Sequence, residues 1–218
     1  MSTPEQSDIA IDDAKETGRT EAFSDGVFAI AITLLALEVR VPSHETAEAA
    51  GGLADALLED WPSYFAFVTS FVTILIMWVN HHRMFRMFKR SDHVFMILNG
   101  LLLMGVSLVP FTSALLAEYL NQGEGAQIAT IVYAGVFVGI AVCFNVLWRY
   151  AAHKRRLIDP KVPQEWVDAV NRAYRFGPLL YLAAVPLALI HVALGVGLIA
   201  ALAVFYALPS RSGETIKV

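Results

Sequence analysis

The sequence predicts an all-α, polytopic membrane protein with six transmembrane helices, and three observations carry that reading. Hydrophobic residues make up 56% of the 218-residue chain and charged residues 17%, a balance too apolar for a water-facing surface. The apolar residues gather in runs of the length that crosses a bilayer, about 20 residues for roughly 30 Å of hydrocarbon. The Lys and Arg residues fall almost entirely between alternate runs, so they collect on one side of the membrane.

The first run covers residues 20–41 and is stopped by Pro42. The second covers 62–80, with Pro62 tolerated in its first turn because that N–H has no helical partner anyway. Runs three and four cover 94–116 and 126–148. Between 176 and 208 lies an apolar stretch too long for one span, interrupted around His191 and by Gly195 and Gly197. It reads as a tight helical hairpin that supplies spans five and six. Pro110, Pro178 and Pro186 fall within spans and mark expected kinks. Residues 164–175 alternate charges with Trp166, Val170 and Tyr174 at helical spacing, the pattern of an interfacial helix leading into span five.

Six spans put both termini on one side, and the charges say which. Arg40 alone falls on the far side; Lys15, Arg19, Arg83, Arg86, Lys89, Arg90, Arg149, Lys154, Arg155, Arg156, Lys161, Arg172, Arg175, Arg211 and Lys217 fall on the near side. Both termini are therefore expected in the cytosol, and the chain in the inner or plasma membrane. The outer loops carry Glu45, Glu48, Asp55, Glu59, Asp60, Glu118 and Glu124 instead. Residues 1–18 are polar and acidic, read as a disordered cytosolic tail rather than a signal peptide. Residues 19–208 then form the membrane domain and 209–218 a second cytosolic tail. The single cysteine, Cys143, lies in an apolar run and reads as a packed side chain.

Span one holds the oddest chemistry. Asp25 sits about one turn inside an otherwise apolar helix, where an ionisable group is costly and points to function. At about 100° per residue, Ile30, Thr33, Leu34 and Leu37 form one stripe, and Asp25 lies roughly 140° from Ile30. The stripe and the acid face different neighbours. On composition alone such a stripe is ordinary helix packing.

Arg19, then Phe23-Ser24-Asp25, then Gly26 through Leu35 (GVFAIAITLL), resembles the signature of the transmembrane protein 175 family, the endosomal and lysosomal potassium channels. The segment Trp78-Val79-Asn80-His81-His82-Arg83 resembles the end of that family's second span. The resemblance implies a homotetramer whose first helices line a central pore, with potassium as the permeant ion and moderate preference over sodium. It places the constriction on Ile30, Leu34 and Leu37, with Thr33 beside it. Apolar rings gate by narrowness and dewetting, while a threonine ring offers oxygen ligands to a partly dehydrated cation. Asp25 and Ser24 then need partners within the bundle, and span two ends at the depth where span one begins. The expected cluster is Arg19, Phe23, Ser24, Asp25, Trp78, Asn80 and His81, with Asn99 in reach, fixing the cytosolic half of the pore helix.

Other chemistries weigh less. His81 and His82 are adjacent and point about 100° apart on a helix, a poor pair for one metal ion. No nucleotide loop, hydrolase elbow, zinc-protease motif or dinucleotide fingerprint occurs, so no enzyme and no cofactor are expected. The basic cluster from Arg83 to Arg90 is explained by topology and anionic lipid, with no need for nucleic acid. The rival readings are a proton-permeable leak and a secondary transporter coupled through Asp25 and His81.

Overall fold

The computed structural model describes residues 4–207, which are helical apart from short connections and one isolated bridge between Phe88 and Ile158. Helix α1 runs Pro4–Leu35 and tightens into a 3-10 turn over Ala36–Glu38. The tail expected over residues 1–18 is thus helical from Pro4 on. Proline is favoured at a first helical position, and Glu5, Gln6, Ala10, Ala14, Lys15 and Glu16 are strong helix formers. The tail expected at 209–218 lies outside the described residues.

Two short helices, α2 (His44–Ala49) and α3 (Leu53–Glu59), fill the loop before α4 (Trp61–Phe85). Ser43 caps α2 by accepting a hydrogen bond from the Thr46 N–H at 3.1 Å. Helix α4 outruns its expected end at 80 because His81, Met84 and Phe85 remain buried and keep packing inward. Span three is two helices, α5 (His93–Ser107) and α6 (Val109–Tyr119), broken at Leu108 ahead of Pro110. Gly105 allows α7 (Glu124–Ala152) to approach, since a Cβ there would stand 2.8 Å from the Ile140 side chain.

After α7 the chain turns through Lys154 and Arg155, both in the left-handed region. The Arg155 guanidinium donates to the carbonyls of Asp159 and Val162, closing the turn. Helix α8 (Gln164–Arg175) has the bounds the sequence predicts and is anchored by Trp148 donating to Asn171 at 2.7 Å. The remaining stretch forms α9 (Gly177–Leu182), α10 (Ala184–Ile190) and α11 (Val192–Ala207). Pro178 sits in the first turn of α9, and Pro186 lies just past the break at Ala183.

The hairpin turns at His191, whose backbone is extended and whose Nδ1 accepts from the Ala193 N–H at 3.2 Å. Gly195 and Gly197, read as interruptions, lie inside α11. Gly195 is a contact point: a Cβ there would meet Ala188 Cβ at 2.7 Å and Ala184 O at 3.0 Å. The absent side chain lets α10 and α11 lie backbone to backbone.

Among the described residues, five helical segments are long and apolar enough to cross a membrane: Lys15–Glu38, Trp61–Phe85, His93–Tyr119, Glu124–Arg155 and Gln164–Ile190. Val192–Phe205 is apolar but shorter. The sixteen residues of α11 rise about 24 Å, short of a full hydrocarbon thickness. Helix α7 is the hub of the bundle, touching α5, α6, α8, α9, α10 and α11, while α1 packs on α4, α5 and α6. Within this core Ser70 shares hydrogen bonds with Ser113 and Tyr133, both fully buried, so hydroxyls tie α4, α6 and α7 together.

The end rich in Lys and Arg is clamped by Asp92. Its carboxylate caps α5 through the Phe95 N–H at 2.9 Å, accepts from the Tyr150 hydroxyl at 2.8 Å and pairs with Arg156 at 3.2 Å. Burial alone raises this carboxyl, but the Phe95 N–H, the Tyr150 hydroxyl and Arg156 outweigh it and hold Asp92 below the ordinary carboxylate value. A lowered folded value means stability that is present above the unfolded pKa and lost as pH falls through the folded one. Asp92→Asn should therefore lower the melting temperature in detergent at pH 7 and shrink the acid-induced loss below about pH 4. Gly195→Val should destabilise the hairpin by about 1–3 kcal/mol, read by thermal unfolding followed by size exclusion, whereas Gly197→Val meets open space.

Candidate functional site: the two faces of the first helix

Helix α1 divides lengthwise. Thr17, Ser24, Phe28, Ala31 and Leu35 are buried and repeat at three- and four-residue steps, or at sums of them, along one side. Arg19, Phe23, Gly26, Ile30, Thr33, Leu34 and Leu37 are exposed on the other. Phe23 is 67% exposed, Ile30 60% and Leu37 75%, values far above those of the same residue types on the inner face. A continuous apolar stripe of this kind, left uncovered by its own chain, needs a second surface or lipid.

Thr33 is the polar exception on the stripe. Its hydroxyl donates to the Ile30 carbonyl at 2.9 Å, which leaves the oxygen as an acceptor on the exposed face. An oxygen of that kind, flanked by apolar residues a turn above and below, is a weak cation ligand. Towards the far end, Arg40 and Glu118 form an exposed ion pair at 3.7 Å.

The inner face carries a directional chain of hydrogen bonds. His81 Nε2–H donates to Asn99 Oδ1 at 2.9 Å, Asn99 Nδ2 donates to Ser24 Oγ at 2.9 Å, and Ser24 donates to the Thr20 carbonyl at 2.8 Å. Each donor finds an acceptor, which fixes the Nε2–H tautomer and leaves Nδ1 without a partner among the described residues. His81 is fully buried, stacked on Phe85 at 4.3 Å and tilted against Phe28 at 5.3 Å. One turn away, Trp78 Nε1 donates to Asp25 Oδ1 at 2.9 Å. Beside it, His82 Nδ1 meets Glu21 Oε1 at 2.9 Å while its ring stacks on Trp78.

The structure thus joins Ser24 and His81 through Asn99 and pairs Asp25 with Trp78 beside them. It does not bring Arg19, Phe23 or Asn80 into that cluster within one chain. Arg19 and Phe23 stand on the exposed face of α1, and Asn80 lines a cleft on the opposite side of α4. Asp25 is half-buried and accepts from the indole N–H of Trp78, one of the span-two residues expected to meet it. Two participants escape the sequence reading. Asn99 is the hub where it read as an optional member, and the Glu21–His82 pair was unread, although Glu21 lies one turn before Ser24 and Asp25. Its place between two polar positions was the available signal.

Asn99→Leu strands the buried His81 Nε2–H and removes the donor to the Ser24 oxygen, whose hydroxyl keeps its bond to the Thr20 carbonyl. It should cost about 1–3 kcal/mol in detergent thermal unfolding. Ile97→Leu, on the exposed side of the same helix, should stay within about 0.5 kcal/mol.

Comparisons with known proteins place the chain in a family. The family model described as endosomal/lysosomal potassium channel TMEM175 matches residues 19–110, which hold α1 from Arg19 onward, α4, α5 and the whole hydrogen-bonded chain. A potassium channel of Chamaesiphon minutus is 54% identical over 212 residues, covering 97% of this chain and 100% of its own. The crystal structure of a lysosomal potassium-selective channel TMEM175 homolog from Chamaesiphon minutus superposes with a TM-score of 0.81 at 55% identity, covering 88% of this chain and 97% of that one. The endosomal/lysosomal proton channel TMEM175 of Gallus gallus is 35% identical over 149 residues, which is 65% of this chain but only 30% of its own. The relationship to the Chamaesiphon channel runs the full length of both proteins, and this chain therefore belongs to the TMEM175 family of endosomal/lysosomal potassium channels.

Proposed function

We propose that this chain is one subunit of a potassium-conducting cation channel in which the exposed face of α1 lines the pore. The observation that carries the reading is that face itself: Phe23, Ile30, Leu34 and Leu37 uncovered by their own chain, on a helix whose other side is pinned by the Ser24–Asn99–His81 chain. One stripe per chain encloses nothing, so several copies are required around an axis. Four is the number the reading takes, with Ile30 at the narrowest ring, Leu34 and Leu37 above it and Thr33 supplying hydroxyl oxygens to a partly dehydrated potassium ion. Discrimination against sodium is then moderate. No enzyme chemistry and no cofactor enter, and potassium is the permeant species.

The same reading takes six spans, with α9–α10 and α11 as the last two and both termini in the cytosol, from the one-sided distribution of Lys and Arg. Arg19 and Phe23, exposed at the cytosolic end of α1, meet a neighbouring subunit in this assembly. The Ser24, Asp25, Trp78, His81 and Asn99 cluster sets the rotation of α1 about its axis, and with it the width of the ring. Asn80, on the other face of α4, serves a different purpose taken up below. A second reading, proton permeation, draws support from the proton-channel name of the Gallus gallus relative.

The experiment is single-channel recording of purified protein in planar bilayers, with separate potassium, sodium and proton gradients. A ring of isoleucines offers a passing ion no ligands, so much of the barrier is the cost of shedding water. Ile30→Asn keeps the passage wetted; lowering the barrier by about 1.4 kcal/mol raises flux about tenfold and weakens potassium-over-sodium preference. Leu34→Ala should act in the same direction through width. Ile32→Asn, on the packed side, should disturb assembly without that phenotype. An unchanged Ile30→Asn channel beside an altered Ile32→Asn channel would place another face of α1 at the pore, and a monomer by mass in mild detergent would sink the enclosed pore altogether.

A further inference from the structure

A half-open cleft of about 560 Å³, the side open to the surroundings included, lies between α4, α7, α9 and α11, away from the exposed face of α1. Its walls are almost wholly apolar: Ile76, Met77, Ile140, Ala141, Phe144 and Ala203. Its polar groups are concentrated towards one end, where Asn80 of α4 and Asn145 of α7 meet Tyr174 and Gly177. Asn145 is satisfied, donating to the Tyr174 carbonyl and accepting from Arg149 Nε at 3.0 Å. Asn80, within the candidate span Trp61–Phe85, has no hydrogen-bond partner among the described residues and is open to the cleft.

Three exposed arginines follow the polar residues of that end along the chain. Arg83 follows Asn80 by one turn of α4, Arg149 follows Asn145 by one turn of α7, and Arg175 sits between Tyr174 and Gly177; all three are exposed. No carboxylate lines the cleft. An apolar slot that ends in an amide without a partner among the described residues, with three exposed arginines within about one helical turn of its polar residues, matches one kind of molecule end to end. We propose that this cleft binds an anionic phospholipid, with an acyl chain along Ile76, Ile140 and Phe144, a glycerol-ester oxygen on Asn80 and the phosphate among Arg83, Arg149 and Arg175. A second protein copy fits less well, because a subunit packing there would have to cover three arginines with no carboxylate offered by the cleft itself. The site is separate from the α1 stripe, so its occupancy does not depend on which ion the assembly conducts.

The test is native mass spectrometry of the full chain purified in mild detergent, titrated with phosphatidylglycerol or phosphatidylcholine. The expected result is one phosphatidylglycerol per subunit, retained at least tenfold more tightly than phosphatidylcholine. Arg83→Gln with Arg175→Gln, both surface changes, should remove that tenfold preference while leaving phosphatidylcholine binding as it was. Ala141→Trp, which fills the slot, should abolish retention of both lipids with the oligomer mass unchanged. Equal retention of the two lipids by the native chain would overturn the proposal, as would full retention by an intact Ala141→Trp assembly. So would loss of subunit association in Ala141→Trp with lipid binding intact, which would assign the cleft to a neighbouring chain.

Discussion

A polar side chain at hydrocarbon depth has no water to fall back on, and the rotation of α1 follows from that constraint. Ser24 must be turned into the bundle, where Asn99 of α5 reaches it, and Asn99 in turn holds His81 of α4. Three helices are thereby locked in register by two hydrogen bonds between side chains. Because Ser24, Phe28, Ala31 and Leu35 share a face, fixing the first fixes the rest. The opposite face is left to whatever surrounds the subunit, and that face carries Ile30, Thr33, Leu34 and Leu37.

The lock is asymmetric along the helix. Its polar contacts, including Trp78 to Asp25 and His82 to Glu21, all lie towards the end where Lys and Arg accumulate. Above Phe28, α1 is held by close packing of Ala31 and Leu35, which resists compression but offers no directional bonds. The exposed Ile30-to-Leu37 segment therefore sits on the half of the helix with the softer restraint. A three-residue 3-10 tightening at its far end, over Ala36–Glu38, ends the helix just past Leu35.

How far the sequence foretells this structure depends on what each residue has to answer to. Helix α8 keeps its predicted bounds because Trp166, Val170 and Tyr174 alternate with charges, a pattern that only one periodicity satisfies. The turn at His191 and the break ahead of Pro110 are equally local, set by a lost N–H or by a polar residue in an apolar run. The hydroxyl cluster of Ser70, Ser113 and Tyr133 was not legible, since serine and tyrosine in a membrane run look alike whether they face a partner or a lipid headgroup. Gly195 misled for a related reason: glycine breaks a helix in water, whereas between two membrane helices it is where backbones touch. At the candidate site the stripe could be drawn on a wheel, but Asn99's central place could not, because it depends on which turn of α5 lies beside Ser24. That is a tertiary fact.

Asp25 shows why the distinction matters for mechanism. Read from sequence, a carboxylate inside a span asks for a cation, and Arg19 is close in sequence. In the fold Arg19 lies on the exposed face and Asp25 accepts from an indole N–H. A neutral donor stabilises a carboxylate less than an ion pair does, and it brings no opposite charge near the base of the stripe. In the pore proposed above, a cation passing Phe23 and Gly26 would meet the field of that carboxylate one helical face away, before it reaches Ile30. Pairing Asp25 with Arg19 inside the same chain would cancel the field; separating them leaves one charge of each sign on different faces of α1, available to different neighbours. The inner face then does more than hold the helix in place, because it also decides which charges the outer face can feel.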